Sequence, residues 1–167
     1  IKKKLPKISS VKKLDLNKID LIFLSLPNGE AQKFIIKNYF KNTHIKYIDL
    51  SADFRISNIK IYENNYKIKH KAKKIIKDSI YLIPELYKKI NKNIRIISNP
   101  GCYPTSIQLP LVPIIKDNLI KINDITIDSK SGYSGAGKNL HTKTYIHQYM
   151  HIIQNTTGMF VKLIRNY

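Results

Sequence analysis

The chain has 167 residues, with 30 Lys and Arg against 11 Asp and Glu, and a formal net charge of +19. This length suits one or two small domains, and the single cysteine excludes a disulfide framework and any multi-cysteine metal site. No apolar run approaches the roughly 18–20 residues that span a membrane, and the basic start lacks the apolar core of a signal peptide. A lone cysteine suits a reducing compartment, so we expect a cytoplasmic protein without a membrane partner.

The basic excess has two explanations. A nucleic-acid-binding module would carry such a charge. Nearly all of the excess is lysine, however, with arginine only at Arg55, Arg95 and Arg165, and it accompanies many Ile and Asn residues. That combination is typical of an AT-rich genome, whereas specific nucleic-acid surfaces rely on arginine for bidentate base contacts. We therefore favour compositional bias and keep the nucleic-acid-binding module as the alternative function.

The first half of the chain predicts a βαβ unit. The apolar run Asp20–Leu26 predicts a strand covered on both faces, as in a parallel sheet. A helix is predicted over Glu30–Phe40 with Asn28 as its N-cap, and a second strand over Ile45–Leu50. Such a unit has a right-handed crossover. The polar segment Ser51–Arg55 then lies at the carboxyl end of the second strand, where ligands bind to open α/β sheets.

The following segment is rich in Lys and Asn. Its run Lys67–Lys77 carries many like charges and predicts a solvated surface segment. Tyr81–Leu86 is predicted as an apolar turn, and Ile94–Ile97 as a short buried strand that leads towards the only cysteine.

Cys102 lies on a predicted sharp strand-to-helix turn. The apolar spacing predicts a helix over Thr105–Ile115, and Pro104 suits a first helical turn, where a missing N–H costs nothing. Unpaired backbone N–H groups and the positive end of the helix dipole would stabilise a thiolate there. Thiolates are the reactive form of cysteine, so Cys102 is a candidate nucleophile. The alternative is a buried structural cysteine.

A predicted strand over Ile125–Ser129 leads into a glycine segment, residues 130–138, that holds three of the six glycines. Glycines let backbone N–H groups approach a phosphate or carboxylate closely, although an ordinary glycine turn explains the pattern equally well. The spacing matches neither a Walker A loop nor the dinucleotide fingerprint. His147 and His151 could share a helix face, but without a third ligand we predict no metal site.

Four motifs occur in the order and at about the spacing of the N-acetyl-gamma-glutamyl-phosphate reductase family. They are Asp49–Arg55, Leu82–Leu86, Asn99–Thr105 and Ser131–Lys138. The chain therefore resembles this family over about residues 20–138, as a fragment that lacks both ends of the family sequence. The aminoadipyl-phosphate reductases and, further away, aspartate-semialdehyde dehydrogenase are the nearest alternatives.

The resemblance implies an α/β fold: a partial Rossmann-like parallel sheet followed by the start of a second α/β (α+β) catalytic domain. Residues 1–98 would be the remainder of the NADP-binding domain, residues 99–138 the start of the catalytic domain, and residues 139–167 a divergent tail. The family's glycine-rich turn would precede Ile1, and its histidine segment is not found. We therefore assign the base role to no histidine and expect weak NADP affinity and little turnover from this chain.

The resemblance also implies the reaction, the NADPH-dependent reduction of N-acetyl-L-glutamyl 5-phosphate to the 5-semialdehyde in arginine biosynthesis. Cys102 would form the thioester. Related acyl phosphates, such as N-acetyl-aminoadipyl phosphate, are the alternative substrates, and the full-length enzyme would be a homo-oligomer. The implied cofactor-binding residues are Ser131, Gly132, Ser134, Gly135, Ala136 and Gly137. The implied substrate-binding residues are Asn99, Arg55 and Glu85.

Overall fold

A computed structural model describes residues 8–122, 125–131 and 148–153, and the chain divides into two compact units. The first unit comprises the described residues up to Tyr81 together with Asn93–Asn99. The second comprises Leu82–Lys92 and the described residues from Pro100 onwards. The segment 82–92 therefore groups with the second unit, although the chain returns to the first unit after it.

The first unit is a parallel sheet with helices. All four strands run parallel, in the order β1-β2-β4-β3. This arrangement confirms the predicted α/β, Rossmann-like fold. Its elements are β1 (Leu21–Leu24), α1 (Glu30–Tyr39), β2 (Lys46–Asp49), α2 (Ile59–Tyr66), β3 (Ser79–Tyr81) and β4 (Ile96–Ser98).

The core of this unit lies between β2, β4 and α1. Ile35 of α1 packs in one cluster with Tyr47 of β2 and Ile96 of β4. Ile45, which immediately precedes β2, belongs to the same cluster, and all four side chains are fully buried. Tyr47 and Ile96 thus place the centre of the core on the two inner strands, β2 and β4.

At β1 the two faces of the sheet differ. Ile22 and Leu24 pack against the core, whereas Leu21 and Phe23 are 45% and 62% exposed. Within the described residues β1 pairs only with β2 and forms an edge of the sheet. The prediction of a strand covered on both faces is therefore wrong for β1 in this chain.

Arg95 ties the end of α1 to the sheet. Its Nε donates to the Ile45 carbonyl at 3.1 Å, and its Nη2 donates to the carbonyls of Tyr39 at 3.0 Å and Asn42 at 2.7 Å. The guanidinium carbon also lies 4.0 Å from the centre of the Tyr39 ring. Only the planar fork of arginine can satisfy several carbonyls and stack on a ring at once.

The prediction of a solvated surface segment over Lys67–Lys77 is partly wrong. Its lysines are exposed, but His70, Ala72, Ile75 and Ile76 are buried. The segment lies against the core with these residues inward while the lysines point to solvent. The many lysines hid the inward-facing pattern of this segment, and α2 just before it was not predicted.

The second unit contains the cysteine helix and a strand pair. Its elements are the single turn Pro84–Leu86, α3 (Cys102–Lys116), β5 (Thr126–Ser131) and β6 (Gln148–Ile153). The two strands are antiparallel, with Asp128 opposite His151. Because His151 lies in a strand, the shared helix face predicted for His147 and His151 is wrong, and His147 itself lies outside the described residues.

The helix α3 begins at Cys102, three residues earlier than predicted. Pro104 lies in its first turn as expected, and Pro110 and Pro113 lie inside it, where each removes one backbone hydrogen bond. None of the helices among the described residues has both the length and the apolar character needed to cross a bilayer.

Two neighbouring isoleucines of α1 test the position of the core. Ile35 is fully buried and Ile36 is 38% exposed. We expect Ile35→Ala to lower the free energy of unfolding by about 2–5 kcal/mol, because it leaves a cavity. The matched variant Ile36→Ala should change it by no more than about 0.5 kcal/mol. Urea unfolding followed by circular dichroism measures both, and equal losses would contradict this core.

Candidate active-site residues

The chain bends sharply where β2 ends. Asp49, the last residue of β2, accepts a hydrogen bond from the Ser51 N–H through Oδ1 at 2.9 Å. Ser51 Oγ in turn accepts from the Asp53 N–H at 3.1 Å. Two successive side-chain turns of this kind are the reason why short polar residues follow the strand. They direct Asp53 inward, while Arg55 is half-buried at the carboxyl edge of the sheet.

Asp53 is fully buried and caps α1 from a distant part of the sequence. Its carboxylate accepts the Gly29 N–H at 2.7 and 2.9 Å and the Gln32 N–H at 3.0 Å. The Tyr62 hydroxyl donates to the same carboxylate at 2.6 Å. A negative charge at the first turn satisfies unpaired N–H groups and faces the positive end of the helix dipole.

Tyr62 remains a donor in this network. Burial raises the pKa of the Tyr62 phenol, and the hydrogen bond to Asp53 raises it further. The Gln32 side chain also donates to Asp53 Oδ1 at 3.2 Å. Both oxygens of Asp53 are thus engaged by protein donors, and its role in the described residues is to hold α1.

The prediction that Asn28 caps α1 is wrong. The N-cap residue is Gly29, at φ +89°, a backbone conformation that glycine adopts without strain. The Asn28 side chain instead accepts a hydrogen bond from the Ala52 N–H at 3.0 Å. Sequence spacing within one helix could not identify Asp53, because the cap comes from another strand end.

Arg55 and Asn99, two of the three predicted substrate-binding residues, lie together. Arg55 Nε donates to the Asn99 carbonyl and Nη2 to the Leu50 carbonyl, each at 2.9 Å. The Asn99 N–H donates to the Asp49 carbonyl at 2.8 Å. Within the described part of the chain, the other three N–H groups of Arg55 have no hydrogen-bond acceptor. A half-buried cation with donors to spare can contact an anionic ligand.

The third predicted residue, Glu85, lies in the second unit. It is exposed on the turn Pro84–Leu86 and lines an open cavity of ≈ 580 Å³ together with Tyr87, Lys89 and Lys116. Burial raises the pKa of the Tyr87 phenol. No group of three His, Cys, Asp or Glu side chains in the described ranges is arranged to hold a metal ion.

Cys102 is exposed and is the first residue of α3. In the described part of the chain Cys102 is therefore not a buried cysteine, and its role as a nucleophile stays a prediction. Gly101 is the N-cap of α3 and has no side chain, so it makes no side-chain hydrogen bond to the N–H groups of the first turn. Its carbonyl accepts from the N–H and the hydroxyl of Thr105, at 3.0 and 2.9 Å. An anion on the sulfur would face the positive end of this helix.

The predicted cofactor-binding residues lie at the limit of the described chain. Ser131 is the last residue of β5, and the remaining residues of the set lie outside the described residues. They are Gly132, Ser134, Gly135, Ala136 and Gly137. Their role stays a prediction.

Two buried polar atoms at the carboxyl edge were not foreseen from the sequence. Asp49 Oδ2 and Ser98 Oγ are fully buried, and neither has a hydrogen-bond partner among the described residues. The two residues occupy partner positions on β2 and β4. Burial raises the pKa of Asp49 by more than the hydrogen bonds from Ser51 lower it. A carboxyl of this kind is stabilised in its protonated form.

Comparison with protein families gives two matches. The NAD-binding domain of semialdehyde dehydrogenase matches residues 2–94, and the semialdehyde dehydrogenase dimerisation domain matches residues 102–156. The second match therefore includes residues 139–156 of the segment predicted to be a divergent tail.

Similar curated proteins carry the name N-acetyl-gamma-glutamyl-phosphate reductase. The one from Clostridium novyi is 45% identical over 132 residues, which are 79% of this chain and 38% of the relative. The one from Brachyspira hyodysenteriae is 46% identical, over 79% of this chain and 40% of the relative. A probable chloroplastic reductase from Arabidopsis thaliana is 50% identical, over 81% and 33%. The chain thus spans about a third to two-fifths of these relatives.

The pH dependence of unfolding tests the environment of Asp49. Because burial raises its folded-state pKa, its stabilising contribution is present below the unfolded value of about 3.9 and is lost as pH rises through the folded value. Asparagine does not ionise, so Asp49→Asn does not lose stability as pH rises. Its amide oxygen can still accept the hydrogen bond from the Ser51 N–H. We expect the stability of Asp49→Asn to improve relative to the wild type between about pH 4 and about pH 8.

Urea unfolding at both pH values measures this difference. Asp15→Asn is the matched control, because Asp15 lies at the surface in an ion pair with Lys18. A difference between wild type and Asp49→Asn that is the same at both pH values would contradict the assignment.

Proposed function

Because the chain belongs to the semialdehyde dehydrogenase family, we propose that it is the cysteine-bearing part of an N-acetyl-gamma-glutamyl-phosphate reductase. That enzyme reduces N-acetyl-L-glutamyl 5-phosphate to N-acetyl-L-glutamate 5-semialdehyde in arginine biosynthesis. The observation that carries the proposal is the exposed Cys102 at the first turn of α3, in a chain whose relatives bear that name. The rest of the proposal concerns the roles of residues around this reaction.

Cys102 is the proposed nucleophile. Its thiolate attacks the acyl carbon of the acyl phosphate, the bond from that carbon to the phosphate oxygen breaks, and inorganic phosphate leaves with the electron pair. A thioester to Cys102 remains. The α3 N-terminus favours the attacking anion, and backbone N–H groups of that turn are suited to the oxyanion that forms during attack. Covalent capture divides a difficult reduction into two easier steps.

The proposed cofactor is NADP. When bound, NADPH supplies the hydride that reduces the thioester carbon. The donors at the carboxyl edge of the first unit, exposed Ser25 and the cation Arg55, fit a phosphate-bearing group. The first turn of α1 does not fit such a group, because Asp53 already occupies it. We propose that the cofactor is also contacted by Ser131, Gly132, Ser134, Gly135, Ala136 and Gly137, because glycines permit a close backbone approach.

The substrate is an anionic acyl phosphate. Arg55 and Asn99 are proposed to contact it, since Arg55 presents unused N–H donors beside the Asn99 main chain. Glu85 is the third proposed contact. N-acetyl-aminoadipyl phosphate, one methylene longer, is the substrate of the runner-up proposal.

Two further properties belong to the proposal. A homo-oligomer is supported by the match of residues 102–156 to a dimerisation domain. A cytoplasmic location is supported by the lone free cysteine, which suits a reducing compartment.

Acylation of Cys102 tests the proposed function without requiring turnover. The chain is mixed with N-acetyl-glutamyl phosphate generated in place, and intact-protein mass spectrometry measures the adduct. We expect one adduct that neutral hydroxylamine removes, because hydroxylamine cleaves a thioester and leaves lysine amides intact. Cys102→Ser should lose this hydroxylamine-sensitive adduct entirely, because the serine hydroxyl is a far weaker nucleophile than a thiolate.

Ser106→Ala is the matched control, because Ser106 is also exposed on the first turns of α3. It should retain the adduct. A hydroxylamine-sensitive adduct of equal yield in Cys102→Ser would refute the role of the cysteine. A higher initial rate with N-acetyl-aminoadipyl phosphate would favour the runner-up substrate.

A further inference from the structure

We propose that Asp53 is a positioning residue, whose hydrogen bonds to α1 fix the segment Ser51–Arg55 and thereby hold Arg55 at the carboxyl edge of the sheet. This inference rests on the proposed function in one respect: the purpose of Arg55 is the contact with an anionic substrate. The positioning itself depends only on contacts within the first unit.

The side chain of Asp53 is the first anchor. It accepts the two N–H groups at the start of α1, from Gly29 and Gln32, at 2.7–3.0 Å. The Tyr62 hydroxyl adds a bond from α2 at 2.6 Å. The segment after β2 is therefore tied to two helices by one buried carboxylate, and charge-assisted bonds of this kind are the stronger ones.

The main chain of Asp53 is the second anchor. Its carbonyl accepts a hydrogen bond from His70 Nε2 at 2.8 Å, and its N–H donates to Ser51 Oγ at 3.1 Å. His70 is itself buried and packs edge-on against the rings of Phe54 and Tyr62. The backbone around Asp53 is therefore held from both sides.

Arg55 lies two residues beyond these anchors. Its N–H donates to the Ala52 carbonyl at 3.3 Å, which closes a turn across Asp53. Its guanidinium then reaches the carbonyls of Leu50 and Asn99, which follow β2 and β4. Two bonds at 2.9 Å to two strand ends define the guanidinium plane, so a shift of the Asp53 turn would break them. A donor held in this way needs little ordering when a ligand binds.

The Nε–H signal of Arg55 reports its position directly. The chain has only three arginines, Arg55, Arg95 and Arg165, so their Nε–H signals can be resolved by NMR. Arg55 Nε–H is bonded to the Asn99 carbonyl, and Arg95 Nε–H is bonded to the Ile45 carbonyl and serves as the internal standard. Exchange of each proton with solvent measures how well its bond is held.

Asp53→Asn in the full chain is the decisive variant. The asparagine side chain has a single acceptor oxygen. Its NH₂ group is a donor and cannot accept a hydrogen bond from the N–H groups at the start of α1. We expect exchange of the Arg55 Nε–H to accelerate by about tenfold or more, while that of Arg95 changes by less than about twofold. Tyr62→Phe, which removes one donor and keeps the ring, should produce a smaller acceleration and serves where Asp53→Asn does not fold.

Asp78→Asn is the control for a loss of stability alone. Asp78 accepts a hydrogen bond from the Tyr39 hydroxyl at 3.1 Å in the same unit, remote in sequence from the Asp53 turn. It should leave the Arg55 signal unchanged. The proposal is overturned if Asp53→Asn and Tyr62→Phe leave Arg55 exchange at the wild-type rate, or if they accelerate Arg55 and Arg95 equally. Acylation of Cys102 plays no part in this readout, so the proposed function stands or falls separately.

Discussion

A carboxylate in the interior of a protein is stable only when its charge is matched by hydrogen-bond donors. Asp53 meets this requirement by taking the unpaired N–H groups at the start of α1, together with the Tyr62 hydroxyl. The same contacts give α1 its N-terminal cap. One set of hydrogen bonds therefore fixes both the position of α1 and the course of the chain after β2, and the rest of the first unit depends on it.

The fold class was predictable because apolar runs and turn residues alternate along the first half of the chain. The order of strand, helix and strand required a parallel sheet with a crossover, and the structure has both. Strand and helix limits differed by at most three residues, and the largest difference is at α3, which begins at Cys102. Helix ends depend on capping contacts that the local pattern does not contain.

The sequence suggested residues for the candidate site, whose roles stay predictions, but it could not suggest their contacts. The family resemblance implied Arg55 and Asn99 as substrate-binding residues, and the structure brings these two together. The burial of Asp49 and the cap by Asp53 could not be predicted, because each depends on residues more than twenty positions away or on a neighbouring strand. The only local signal was that Ser51 and Asp53 follow closely after a strand that itself ends in Asp49.

The segment Lys67–Lys77 has a consequence for proteolysis. Its six lysines are exposed, yet the backbone between them is anchored by the buried His70, Ala72 and Ile75. A trypsin-like protease must draw several extended residues into its cleft, so exposed lysine side chains alone are poor substrates. Cleavage in this stretch requires that the anchored residues leave the interior first. The rate of digestion in this segment therefore reports how often the first unit opens. The lysine content alone would instead suggest rapid cleavage.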